Sequence, residues 1–165
     1  MKKELVFLDT EFSSLNPYKG EILSIGLVKE NGDELYSELE FDGEVDDWVK
    51  ENILPNLKQE KLSKIEVKKQ VKKFINNTKP YLVAFVNQFD VVYLHKLLGK
   101  EDFNNTFFWI SIDFASILYI KGYDPEEYFK NQKEFVKKLG INPDKYIQHN
   151  ALDDAKLLRE TYSKL

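Results

Sequence analysis

A chain of 165 residues with 42% hydrophobic and 32% charged positions carries enough apolar material for one core, and no apolar run in it is long enough to span a bilayer. Cysteine is absent, which excludes disulfides, zinc–thiolate sites and a thiol nucleophile. A net charge of −4 argues against a protein that grips nucleic acid by charge alone. Brief, metal-mediated contact with such a polymer stays open.

Residues 4–10 read as the first strand, and its run Leu5-Val6-Phe7-Leu8 is apolar enough for a strand buried on both faces. Asn16-Pro17 and Lys19-Gly20 mark a loop. Residues 21–28 alternate as a second strand, Asn31-Gly32 is a hairpin turn, and residues 33–40 alternate as a third. Asp46-Asp47 opens a short helix through Trp48 and Val49 that stops at Leu54-Pro55. Ser63-x-x-Glu66 is a capping box, and the helix behind it runs to about residue 77. Its lysines, Lys64, Lys68, Lys69, Lys72 and Lys73, read as a solvated face.

Residues 81–86 form a short apolar strand, Asn87 caps a helix over 88–98, and residues 107–112 make a fifth strand. Asp113 caps a short helix to about residue 120. Asp124-Pro125-Glu126-Glu127 starts a helix that carries Phe129, Val136 and Leu139 and stops at Gly140. A loop leads to the last helix, 151–163. The order β-β-β-α-β-α-β-α-α predicts an α/β fold: a five-stranded mixed sheet, opening as an antiparallel meander and flanked by helices. The whole stretch 1–165 reads as one domain. Met1-Lys2-Lys3-Glu4 shows no signal-peptide pattern, and with the missing cysteines this gives a cytoplasmic expectation with no membrane partner.

Asp9 and Glu11 end the first strand and point the same way, because side chains alternate across a strand. Two carboxylates side by side at the end of a buried strand repel, and a divalent cation with a taste for oxygen ligands resolves the repulsion. Asp90 lies in the first turn of the helix after the fourth strand, and would also suit the dipole of that helix. In His149-Asn150-Ala151-Leu152-Asp153-Asp154-Ala155, Asn150 is the cap and Asp153 the capping acid, which leaves Asp154 free to point elsewhere. Four acids hold two divalent ions for an in-line phosphoryl displacement, and a histidine beside them takes a proton from the attacking water. Neither a Ser-centred elbow, nor His-Glu-x-x-His, nor a Gly-rich phosphate loop is present.

The motifs Phe7-Leu8-Asp9-Thr10-Glu11-Phe12, Asn87-Gln88-Phe89-Asp90 and His149-Asn150-Ala151-Leu152-Asp153-Asp154-Ala155, in this order, resemble the DEDDh group of 3′–5′ exonucleases, the DnaQ-like branch of the ribonuclease H-like fold. The resemblance covers nearly the whole chain. It implies two divalent cations, Mg²⁺ or Mn²⁺, held by Asp9, Glu11, Asp90 and Asp154, with Asp9 bridging, and His149 as general base. It places Thr10, Phe12 and Asn87 against a single-stranded nucleic acid substrate, cut from its 3′ end to nucleoside 5′-monophosphates. Residues 48–55 look like a feature of compact bacterial exoribonucleases of this group, which leans the reading toward RNA. Many members pair as homodimers. The loop Phe12-Ser13-Ser14-Leu15 departs from the Thr-Gly-Leu of many members, and the lead into Phe89-Asp90 is shorter than the familiar His-Asn-Ala form. Two alternatives remain: a non-cleaving nucleic-acid-binding protein on the same fold, and a ribonuclease H-type endonuclease, which Asp-x-Glu and His149 fit poorly. His95 reads as structural, and Asp113 as too distant.

Overall fold

Strand β1 (Leu5–Phe12) lies at the centre of the sheet, as its unbroken apolar start requires. It pairs antiparallel with β2 (Ile22–Lys29) and parallel with β5 (Tyr81–Ala84). The computed structural model describes residues 3–165; Met1 and Lys2, the first half of the stretch read above for a signal peptide, lie outside it. Beyond β2 come β3 (Glu34–Leu39) and β4 (Lys61–Leu62), and beyond β5 comes β6 (Ile112–Asp113). The order is β4-β3-β2-β1-β5-β6, a mixed sheet of six strands among the described residues rather than the five expected.

The two faces of β1 build separate cores. Val6 and Leu8 pack with α2 (Lys64–Ile75), α3 (Gln88–Leu98) and α4 (Lys100–Thr106) through Val67, Val71, Leu94 and Phe103. Leu5 and Phe7 pack with α5 (Phe114–Ile120), α6 (Pro125–Lys130), α7 (Gln132–Lys138) and α8 (Ala151–Lys164) through Phe114, Tyr128, Val136 and Leu158. A third, small cluster joins Leu23 to Val49 and Ile53 of the segment around α1 (Asp47–Asn52). Leu23 is the extra residue of a bulge, since Glu11 faces Ser24 while Phe12 faces Ile22.

Local signals account for most boundaries. Ser63 and Glu66 form the reciprocal capping box, Asp113 accepts from Ser116 N, Asp124 caps α6 with Pro125 behind it, and Asn150 accepts from Asp153 N. Gly32, with φ of 95°, turns the first hairpin.

Three expectations fail. The strand read over 107–112 shrinks to Ile112–Asp113, because α4 forms ahead of it and buries Phe103 and Phe107, one helical turn apart, against the same core. Burial of those two rings overrides the strand propensity of Phe107-Phe108-Trp109-Ile110. The single helix expected over 125–139 breaks at Asn131 into α6 and α7, and Tyr128, not Phe129, faces the core. The two-residue β4, parallel to β3, is too short to carry a periodic pattern.

Candidate active site

Four acids converge at the carboxyl end of β1. Asp9 and Glu11 continue the Leu5/Phe7 face and therefore look toward α8, while Thr10 and Phe12 look toward α3. Asp90 reaches the strand end from the first turn of α3, where its Oδ1 accepts from Thr10 N at 2.9 Å and Thr10 Oγ1 at 2.7 Å. Asp154 sits one turn into α8. His149, just before that helix, has φ of 60° and donates its backbone N–H to Asp154 Oδ2 at 2.9 Å. This sharp turn sets the imidazole over the same space as the carboxylate. Ligating atoms of Glu11, His149 and Asp154 lie within 4.8 Å of one another.

Helix α8 comes this close because β2 carries Gly26 opposite Asp9. A Cβ on Gly26 would stand 2.2 Å from the Ala151 carbonyl oxygen and 2.5 Å from Leu152 N. The first turn of α8 therefore rests on bare backbone. Further support comes from Asn56, whose amide donates to the carbonyls of Gln148 and His149, and from Trp48, whose ring meets His149 edge-on at 5.2 Å.

The acids are crowded and enclosed. Burial holds Asp9 well above the usual carboxylate range, with the charges of Asp90, Asp154 and Glu11 adding to the shift. Burial pushes Glu11 up to about 8, aided by Asp154 and Asp90. Asp90 rises to about 7 by burial, against the opposing hydrogen bonds from Thr10. Asp154 also rises to about 7 by burial, opposed by the backbone donors of His149 and Asn150. Burial lowers His149 below its ordinary value. Among the described residues no lysine or arginine forms an ion pair with any of these four acids.

The acids open onto a cavity of about 520 Å³. It is lined by Phe12, Leu15, Phe85 and Phe89, by Pro125, Tyr128 and Phe129 of α6, and by Gln132 and His149. Phe12 stacks on Tyr93 at 4.5 Å between ring centroids.

A sequence profile described as exonuclease matches residues 6–162. The chain belongs to this exonuclease family. No curated protein sequence matches at a significant level. Among solved structures the fold is similar to Escherichia coli exonuclease I in two complexes, one with single-stranded DNA and a zinc ion and one with a dT13 oligonucleotide. Each shares 10% identity and a TM-score of 0.57, over 98% and 99% of this chain respectively. The chain spans 40% of the length of those exonuclease chains. The motifs of the sequence and the family profile agree: this is a member of the DEDDh, DnaQ-like exonuclease superfamily.

As in exonucleases of this family, a divalent cation fits the donors present. Four carboxylates, Glu11 and Asp90 buried and Asp9 and Asp154 half-buried, form a hard oxygen set with no ion-pair partner among the described residues, and enclosure first and mutual repulsion second raise their proton affinity.

Of the residues expected to touch substrate, Thr10 and Phe12 line the cavity. Asn87 stands elsewhere: its side chain donates to Ser111 Oγ at 3.0 Å, its backbone N–H donates to Asp113 Oδ1, and it makes no side-chain cap on α3. His95 stacks on Phe103 at 3.6 Å and Asp113 caps α5, so both are structural. Asp153 accepts from Ile147 N and steers the loop before α8. Sequence reasoning missed Gly26, Phe85, Phe129 and Gln132. For Gly26 a signal existed, since a lone glycine inside a strand marks close backbone approach. For Phe129 none did, because helical periodicity turned it inward.

Proposed function

We propose that this chain is a single-domain 3′–5′ exonuclease that hydrolyses the terminal phosphodiester of single-stranded nucleic acid, with RNA favoured, and releases nucleoside 5′-monophosphates. The observation that carries this reading is the convergence of Asp9, Glu11, Asp90 and Asp154, with His149, on one cavity floor. Family membership supports the reaction class, and residues 48–55 support the lean toward RNA. Two divalent cations, Mg²⁺ or Mn²⁺, held by Asp9, Glu11, Asp90 and Asp154, supply charge stabilisation of the attacking and leaving oxygens when bound. The protein's own part is positional. Thr10 fixes the Asp90 carboxylate through two hydrogen bonds. The His149 backbone fixes Asp154, and the neutral imidazole accepts the proton of the attacking water. Phe12, held flat on Tyr93, offers a stacking surface to the terminal base. Residues 1–165 act as one catalytic unit in the cytoplasm, and a homodimer is the expected state by family likeness.

The test uses 5′-labelled single-stranded RNA and DNA of matched sequence with Mg²⁺ or Mn²⁺ and an EDTA control. A metal-dependent ladder shortening from the 3′ end is expected, faster on RNA. Asp154→Asn should lower the rate by at least about 10³-fold with the fold intact, as expected for loss of a ligand-level electrostatic contact. Internal fragments would establish an endonuclease instead, and intact substrate that is nonetheless bound would establish a non-cleaving binder.

A further inference from the structure

Glu38 on β3 is a buried acid that neither the core nor the proposed chemistry accounts for. It is 1% exposed, and its Oε2 meets no hydrogen-bond donor among the described residues. Its cross-strand neighbour Ser24 is in the same state, fully enclosed with an unpartnered hydroxyl. A carboxyl group kept from water with one oxygen idle weakens a fold, so packing gives no reason for it. The other oxygen does the holding. Glu38 Oε1 accepts from the backbone N–H of Lys58 at 2.9 Å and from the Tyr36 hydroxyl at 3.0 Å.

Lys58 ends the segment that touches the proposed base. From α1 the chain runs through Ile53 into a single 3₁₀ turn, Leu54–Asn56. Side-chain amides knit this stretch together: Asn52 donates to the Trp48 carbonyl at 2.8 Å, and Asn56 donates to the Asn52 carbonyl at 3.2 Å. It meets His149 at two points, with the Trp48 ring against the imidazole and the Asn56 amide at the backbone carbonyl. Its apolar footing is small, Val49 and Ile53 on Leu23. From this we propose that Glu38 is a positioning residue for His149: it pegs the end of segment 48–58 to β3, and the segment in turn sets the imidazole over the acids. Glu38 itself touches neither substrate nor reacting atoms. The inference rests on the function proposed above for the role of His149. It carries the site two strands outward, since Ser24 pairs with Glu11 on one side and Glu38 on the other.

The test compares wild type, Glu38→Leu, Glu38→Gln and Lys58→Pro. Glu38→Leu removes the peg, and because Lys58 is exposed its freed N–H turns to water. Lys58→Pro removes the same bond from the surface side, and Leu57 is already extended, as a residue before proline has to be. Each should lower kcat about 10- to 100-fold, up to the cost of a 1 Å misplacement, with KM within about twofold. If Glu38→Leu does not fold, Lys58→Pro carries the test. Glu38→Gln keeps an acceptor for Lys58 and brings a donor for the Ser24 hydroxyl, so it should restore most of the rate. In a His149→Ala background the loss of the peg should cost no further activity, because its effect passes through that ring. Hydrogen–deuterium exchange of the metal-free proteins gives a second readout. Loss of the peg should speed exchange over 48–58 and over 147–150, where Ile147 and His149 donate to Asp153 and Asp154, while β1 and β5 keep wild-type rates. A rate loss of equal size in both backgrounds, no rescue by Gln, or faster exchange confined to 48–58 overturns the assignment. So does exchange that rises across the whole sheet, which marks Glu38 as a stability residue only. Because exchange is read without hydrolysis, a chain that does not cut removes the exonuclease reading and still decides whether Glu38 holds His149 in place.

Discussion

The acids of the site cost the fold stability once they ionise. Between pH ~4.5 and ~8 the folded, metal-free protein retains protons on Glu11 and its neighbours that the unfolded chain has already released. A group whose folded pKa is raised stabilises the fold below its unfolded pKa and loses that contribution as pH climbs through the folded value. Metal-free protein should therefore be less stable at pH 8 than at pH 5, and a divalent cation should restore the difference. Asp9→Asn removes the acid whose ionisation burial and its three acidic neighbours most oppose. In EDTA at pH 8 it should raise the melting temperature, and at pH 5 the gain should shrink. Thermal unfolding of the two proteins at both pH values checks this; a variant no more stable than wild type at pH 8 sinks it. His149 shifts the other way, its burial favouring the neutral form. Activity should hold to a pH below the ordinary histidine value of ~6.5 before it falls, and His149→Ala should lower kcat by about 10²–10⁴-fold. A pH–rate profile of wild type against the variant decides between a base and a bystander. The acids and the histidine were legible in the sequence because strand alternation and cap spacing fix direction over a few residues. Asn87 fails as the side-chain cap of α3 for the opposite reason: its partners, Ser111 and Asp113, come from a distant segment.

At the scale of elements, the contact between α8 and β2 governs the site. Gly26 leaves no room for a methyl group, since its nearest neighbours across the gap are backbone atoms that no rotamer change can move. Gly26→Ala should push the first turn of α8 outward and carry Asp154 and His149 with it. Displacement of about 1 Å is enough to cost ~10²-fold in rate. The expected result is a kcat loss of that order with KM changed far less, alongside a drop in melting temperature. Activity equal to wild type would show that the helix turn is free to move. Strands and caps with strong local grammar, such as the Asn31-Gly32 hairpin and the Ser63–Glu66 box, were readable in the sequence. The α4 segment was not, because Phe103 and Phe107 serve a core whose other walls are α2 and α3, and no local pattern announces them. The same holds for Phe129, whose exposure depends on the break at Asn131.

For the molecule as a whole, the meander at the start and the strand–helix alternation after it imposed the mixed sheet, with β1 central between β2 and β5. The number of strands was less secure, since two-residue edges such as β4 and β6 exist only by pairing with what precedes them. The central strand supplies Asp9 and Glu11 from early in the chain, and α8 with the turn before it supplies Asp154 and His149 from late in it. Contacts between such distant segments carry the largest loop-closure entropy and form late. A refolding chain should therefore regain helix signal first, and its catalytic power only in the slowest phase, when α8 docks over Gly26. Stopped-flow far-UV circular dichroism run beside an interrupted-refolding activity assay would separate the two; activity that returns with the fast phase would refute it. Until that docking Asp154 and His149 stand apart from Asp9 and Glu11, so a nuclease that folds in this order would be harmless while it is still folding.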